Sequence, residues 1–334
     1  MSPFLQPHSA ARRASFGAAA LLALAAAGPP GAAARTSLIN VATASKVAPP
    51  AAGTVYGGST GQDAPLGIRV KRGGAALSQL LLHFRAKCEN GNGLTWSGPA
   101  DFASFQPPTV DLGDNVFAPA KLSRTGRFKA SGRGVAGFGE FGGLIMESIR
   151  GQVRGADARG TFEATVDLFG PDGAKVTSCR TGRVRWAARS APGRTFAGLT
   201  SDRRPVVVDL ARDGRSVKDL RLSWGAPCQP SGGLSLGDHL RGFRVSPSGR
   251  FGDTFTQEFT PEPGIKTSFA YVLAGDAGRT KASGTFQVKV TETDAGGATS
   301  AMCDSTLLQW SASSSRGPAP RGVKRKTREI RAGD

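Results

Sequence analysis

Two stretches of the chain, Gly57–Gly61 and Gly233–Gly237, spell G-x-S-x-G. In a nucleophile elbow that pattern lifts a serine hydroxyl onto a strained strand-to-helix turn, where a histidine takes its proton. The 334 residues include three histidines, His8, His83 and His239, and neither stretch has helical periodicity after it. Serine hydrolysis is not expected. Gly137-Phe-Gly-Glu-Phe-Gly142 spells the G-x-G-x-x-G of a pyrophosphate-binding turn. That turn needs a buried parallel strand before it and a helix after it. Both signals are missing, so the stretch reads as a glycine-rich loop or bulge and no cofactor is predicted. The two histidines beyond residue 34, with scattered acids, do not make a zinc set, and no D-x-D-x-D-G calcium loop occurs, so no metal site is predicted. The remaining catalytic chemistry is that of paired carboxylates flanking a glycosidic bond. Its candidates are Asp101, Asp111, Asp114, Glu140 and Glu147.

The residues with the clearest covalent chemistry are four cysteines, Cys88, Cys179, Cys228 and Cys303. Their meaning depends on the compartment, and the head of the chain speaks to that. Arg12 and Arg13 precede a short apolar run, Pro29-Pro30 ends it, and Ala32-Ala33-Ala34 follows. A basic region, an apolar stretch and small residues at a cleavage site predict a signal peptide over residues 1–34. General secretion is favoured over the twin-arginine route, and no later segment is apolar enough to span a bilayer as a helix. In an exported chain an even number of cysteines predicts disulfides, although spacing alone cannot choose among the three pairings. No C-x-x-C occurs, which argues against a zinc ribbon or a thioredoxin-like site.

A longer-range pattern chooses. Leu77–Cys88 (LSQLLLHFRAKC) is echoed by Val217–Cys228 (VKDLRLSWGAPC). At one constant offset Tyr56 falls on Phe196, Gly58 on Gly198, Thr60 on Thr200, Pro65 on Pro205 and Cys88 on Cys228. At a second offset Gly126-Arg127-Phe128 falls on Gly249-Arg250-Phe251, Gly160-Thr161 on Gly284-Thr285, Cys179 on Cys303 and Trp186 on Trp310. The chain therefore reads as two copies of one unit, residues 53–190 and 191–315, after a disordered linker over 35–52. Each copy has one early and one late cysteine, and the duplication selects Cys88–Cys179 and Cys228–Cys303. The match breaks where copy one is longer, across residues 99–120. That loop carries Asp101, Phe102, Phe105, Asp111, Asp114 and Phe117 as a candidate binding loop.

The elements that must position these groups are strands. Leu80, Leu82, Phe84, Ala86 and Cys88 alternate with Leu81, His83, Arg85 and Lys87. Period two with one apolar face is a half-buried strand, and Leu220–Cys228, Phe162–Val166 and Phe286–Val290 behave alike. Pro171–Ala174 and Ala295–Ala298 read as hairpin turns. The fold class is all-β: two tandem, homologous antiparallel β-sandwich or open barrel-like domains. Trp96, Trp186, Trp224 and Trp310 fall on apolar positions and are expected in cores, whereas His83 falls on the polar face and is expected in solvent.

The duplicated signature, carried by Gly58, Thr60, Pro65, Cys88, Gly126-Arg127-Phe128, Gly160-Thr161, Cys179 and Trp186 with their second-copy counterparts, resembles that of a group of uncharacterised secreted proteins of GC-rich actinobacteria. The resemblance spans both copies. It implies a secreted β-rich module with one cysteine pair per copy and brings no activity with it.

The formal net charge is +18. Such a charge suits contact with anionic polymers, of which a cell-envelope polymer or glycan is the partner expected. Part of it reflects usage, 31 Arg against 12 Lys in an Ala- and Gly-rich chain. The end of the chain, residues 316–334, reads as a disordered basic tail holding Arg321, Lys324, Arg325, Lys326, Arg328 and Arg331. Aromatics do not interleave these cations, which disfavours nucleic acid. The expected function is a secreted, non-catalytic binding or structural protein whose working parts are arginine-rich outer faces, the copy-one loop and the tail. The alternative is a secreted polysaccharide-active hydrolase using the carboxylates above.

Overall fold

A computed structural model describes residues 53–71, 74–101, 115–117, 120–138, 141–230 and 232–315. The predicted signal peptide, linker and basic tail lie outside the described residues, as do Phe102, Phe105, Asp111, Asp114 and Glu140. Period-two alternation becomes strand wherever it was legible. In the first half these are β1 (Thr54–Thr60), β2 (Pro65–Val70), β3 (Leu77–Cys88), β4 (Gly93–Asp101), β5 (Asn115–Phe117), β6 (Arg127–Phe138), β7 (Phe141–Arg154), β8 (Asp157–Phe169), β9 (Lys175–Arg180) and β10 (Val184–Arg189). In the second half they are β11 (Thr195–Thr200), β12 (Pro205–Leu210), β13 (Ser216–Gln229), β14 (Gly233–Leu240), β15 (Phe243–Arg244), β16 (Arg250–Glu262), β17 (Ile265–Ala277), β18 (Lys281–Thr293), β19 (Thr299–Asp304) and β20 (Leu308–Ser313).

Two all-β domains follow, each with its own sheet and disulfide. The sheet closes on itself through six strands, β1-β2-β3-β9-β8-β10. The second half repeats the circuit as β11-β12-β13-β19-β18-β20. Closure comes from one long strand with two partners. The first part of β8 pairs with β10 (Phe162↔Val184) and its last part with β9 (Val166↔Cys179). A strand that changes partner along its length must bend and twist, and a sheet so bent meets its own far edge. Gly160 lies in the part of β8 paired with β10, where a Cβ would lie 2.0 Å from the Arg150 carbonyl oxygen and 2.6 Å from the Trp186 ring.

Each ring has one short seam. β3 meets β9 in two residue pairs, Lys87↔Arg180 and Cys88↔Cys179. β13 meets β19 likewise, Cys228↔Cys303 and Gln229↔Met302. Both cysteine pairs are bonded there, as the repeat implied. The cores inside are apolar and separate. One is built around Phe84, Trp96, Phe162 and Trp186, the other around Phe196, Trp224, Phe286 and Trp310. The four tryptophans are buried, as the alternation predicted. The extra residues of the first half provide β5, which pairs parallel to β4 and antiparallel to β6.

The two barrels meet through β1 and β2 against β11 and β12. Gly57 and Gly67 are register partners in one sheet, Ala197 and Val207 in the other. A Cβ on Gly57 would lie 2.8 Å from Val207 Cγ1, and one on Gly67 would lie 3.0 Å from the Ala197 Cβ. Each small residue thus receives the opposite sheet's larger one. The polar contacts reciprocate in the same way. The buried Arg69 donates from Nη1 to Ser313 Oγ (2.9 Å), and Arg189 pairs with Asp209, the register counterparts of Ser313 and Arg69. Reciprocal contacts of this kind characterise a two-fold interface, here formed within one chain. Val55, Leu81, Ala197 and Val207 make its apolar centre.

Opening either disulfide releases the shortest seam of a ring. The loops closed span 91 and 75 residues, and chain-entropy reasoning gives each bridge about 4–5 kcal/mol. Replacing Cys88 and Cys179 together by alanine is expected to lower the first domain's denaturant midpoint and leave the second domain's transition in place. Two transitions followed by tryptophan fluorescence check this, and unchanged midpoints would contradict it.

Candidate functional site

The structure separates the predicted site residues from one another. Asp101 ends β4 and Phe117 ends β5; the other candidate residues of the binding loop, Phe102, Phe105, Asp111 and Asp114, lie outside the described residues. Gly57–Gly61 runs along β1 into the following turn and Gly233–Gly237 lies in β14, neither in a strand-to-helix turn. Gly137 and Gly142 are register partners in the antiparallel strands β6 and β7, so the described part of that stretch is strand. Glu147 is 4% exposed, on the inward face of β7 between Ile145 and Ile149.

His83 overturns an expectation. At His83 the polar face of β3 does not meet water, although Lys87 at its end does; His83 is 2% exposed, because the second barrel covers it. Its ring packs on Gly237 of β14, where a Cβ would come within 3.3 Å of Nε2. Burial first, then the charges of Arg204 and Arg85, push its pKa down to about 3, so the imidazole is neutral. Arg204 reaches across to donate from Nη1 to Ser97 Oγ (2.8 Å) and to its own barrel's Ser235 Oγ (2.7 Å). Alternation showed that this face is polar, but the covering face comes from the other half of the chain.

His239 lies at the rim of the same interface. Its Nδ1 is 2.9 Å from Asp63 Oδ2 of the first barrel and its Nε2 2.7 Å from Asp219 Oδ1 of the second. Asp63 stands in the β1–β2 turn with φ 56°, a left-handed conformation that Asp tolerates. Arg221 and Arg241 flank the group, at 3.4 Å from Asp63 and 3.2 Å from Asp219. Burial alone would raise both carboxyls. The hydrogen bonds of His239 and the arginine charges outweigh it, and both lie below the usual carboxylate range. The cluster joins the domains as an ionic clasp. Both ring nitrogens are engaged, so the imidazole has no free nitrogen for a nucleophile or metal.

Sequence reasoning also missed a buried acid in the second barrel. Asp238 is 1% exposed and accepts a hydrogen bond from Trp224 Nε1 (2.7 Å). Burial raises its pKa to about 6 against the hydrogen bonds of Trp224 and Tyr271. The available signal was phase, since Asp238 follows Leu234 and Leu236 on the inward face of β14. Glu147 holds the register position that Tyr271 holds in the second sheet (Glu147↔Ala164, Tyr271↔Val288). Among the described residues, each sheet thus buries a carboxyl group on its inward face, supplied by different strands, β7 in the first and β14 in the second.

The arrangement open to a large partner is on the outside of the first barrel. β6, β7, β8 and β10 are neighbours, and their outward residues form cross-strand rows. One row is Lys129, Arg150, Thr161 and Arg185; the next is Arg127, Gln152, Arg159 and Ala187. Arg154 extends the field beside Asp157. The six cations are exposed, and none is within ion-pair distance of a described carboxylate. Arg150 Nε donates to Thr161 Oγ1 (3.1 Å), which holds its guanidinium along the row. Glu163 lies on the same face and is tied to Arg183 (3.1 Å). The matching face of the second sheet has Arg250, Gly252, Ala274, Asp276, Ser283, Thr285, Gln309 and Ser311.

Fold and surfaces together define a class: a two-domain all-β protein of disulfide-pinned barrels, joined by a reciprocal polar interface and charged on one flank. No protein family, curated protein or solved structure matches the chain.

His83 makes stability sensitive to acid. The unfolded chain protonates this histidine below about pH 6.5, whereas the native one resists until about pH 3. The unfolded state therefore binds the extra proton in that window, and stability falls as pH falls through it. Between pH 7 and pH 5 this one group costs about 2 kcal/mol. In His83→Gln the drop in unfolding free energy over that range is expected to shrink by this amount in denaturant titrations. An identical drop would show that His83 is not sealed.

Proposed function

We propose that the chain is a secreted, non-catalytic binding protein of the extracellular space or cell envelope, built by duplication of one β domain and contacting anionic polymers through the basic flank of its first barrel. Two disulfides support an oxidising compartment. The reading is carried by the asymmetry between two faces of equal register. Where the first barrel has Arg127, Lys129, Arg150, Arg159 and Arg185, the second has Arg250, Gly252, Ala274, Ser283 and Gln309. Codon bias, export and solubility act on both halves alike, so a general preference for arginine does not account for a field confined to one of them. Like charges gathered on a continuous sheet face repel one another, and a polyanion relieves that repulsion while releasing its own counterions.

The test compares residues 35–334 with a chain ending at Ser315 on immobilised anionic polymers, across a salt series. With about five cations engaged on a linear polyanion, affinity is expected to fall about 100-fold between ~50 and ~200 mM salt. Binding is expected to survive removal of the tail. Retention that disappears with the tail would place the contact outside the barrels and overturn the reading, as would absence of retention at low salt.

A further inference from the structure

Resting on the reading of this flank as a polyanion surface, we infer that its ligand is a linear phosphodiester polymer without nucleobases, laid across the strands of the first barrel. The geometry comes from sheet register. Lys129 and Arg150 are direct cross-strand neighbours, and Arg185 lies two strands beyond Arg150 in the same row. Arg127 and Arg159 occupy the next row. Neighbouring strands are about 5 Å apart and successive rows about 7 Å apart. A chain with one negative charge per short repeat, crossing the strands, therefore meets a cation at nearly every repeat.

The chemistry of the rows narrows the polymer. Five of the six cations are arginines, whose planar forks give paired N–H donors to phosphate oxygens. Between them the two rows offer few acceptors, chiefly Thr161 and Gln152; the carboxylates of the face lie at its edges, Asp157 beside Arg154 and Glu163 tied to Arg183. Thr161 already receives Arg150, and Gln152 Nε2 donates to the Thr125 carbonyl (2.8 Å). A polyuronate brings several sugar hydroxyls with each carboxylate and needs acceptors for them; a phosphodiester link presents acceptor oxygens to a surface made of donors. Nucleic acid is disfavoured on a separate ground. The aromatics at these rows, Phe128, Phe162 and Trp186, point inward and are buried, and the half-buried Phe141 and Phe169 stand at the far ends of β7 and β8, so among the described residues the rows have no platform on which a base could stack.

The experiment titrates the full chain with poly(glycerol phosphate), polygalacturonate and single-stranded poly(dA), at equal charge concentration and ionic strength. The expected result is poly(glycerol phosphate) binding at least tenfold tighter than either competitor. The double variant Arg150→Gln/Arg185→Gln is expected to weaken that binding at least tenfold. It is also expected to reduce the slope of log affinity against log salt by about 1.4, at about 0.7 for each phosphate no longer neutralised. Arg250→Gln on the second barrel, an exposed site at the Arg127 register position, is expected to change neither. Thermal melts of the variants check that both are folded. Equal affinity for polygalacturonate would overturn the phosphodiester assignment and leave the polyanion surface standing. Tightest binding to poly(dA) would overturn it in favour of nucleic acid. Strong binding unaffected by the double variant would overturn the surface itself, as would binding of none of the three.

Discussion

The seam between β3 and β9 is the constraint on which the first domain rests. Two residue pairs alone join these strands, and one of them is the bonded pair Cys88–Cys179. With that seam shut, β8 is held between β9 and β10 and the sheet has an inside. Phe84, Phe162 and Trp186 then fill that inside. The opposite phase of β8 and β10 faces outward, and β7 and β6, paired on beyond β8, continue it as one outer face. The second barrel repeats the arrangement at Cys228–Cys303.

Between the barrels the decisive feature is absence of bulk. Gly57 and Gly67 let β11 and β12 approach so closely that a methyl group at Gly57 would collide with Val207. Close approach has an electrostatic cost, because the facing strands carry polar residues. Arg69 is pushed down to about 10 by burial alone, and His83 is held neutral. The interface offsets this cost with directed hydrogen bonds: Arg69 Nη2 to the Ala197 carbonyl (3.1 Å), Arg204 to two serines, and the Ser315 hydroxyl bonded to Val55 N (2.8 Å). Buried polar groups satisfied this way define one relative placement of the domains better than apolar contact does. At the rim, the Asp63–His239–Asp219 clasp remains half in water, where ion pairs contribute less.

The two barrels share a ring and a register but differ in what they show to solvent and what they enclose. One presents arginine rows; at the same positions the other has Arg250 and Asp276 exposed, Gly252, Ala274, Ser283 and Gln309 half-buried, and Thr285 and Ser311 buried. One encloses Glu147, the other Asp238 with Trp224 and Tyr271. Closure and core tolerate substitution only within narrow limits of volume, whereas outward positions of a strand are free to vary without disturbing the ring.

Much of this architecture is legible in the chain before folding. Strand identity follows from alternation, because a pleated strand puts neighbouring residues on opposite faces whatever it packs against. The repeat assigns the disulfides, since each copy has one early and one late cysteine, and the inward tryptophans follow from their apolar phase. Three things were decided by tertiary structure alone. Alternation says which residues share a face but not what covers that face, so His83, polar in phase, reads as solvated yet is sealed by Gly237. Alternation is equally silent on which strands are neighbours, so Lys129, Arg150, Arg159 and Arg185, scattered through the chain, become a field only because β6, β7, β8 and β10 lie side by side. Barrel rather than sandwich was settled by β8 changing partners midway. The physical reason is common to all three: period and composition are local, whereas burial and adjacency are fixed by which distant segments the closed ring brings together.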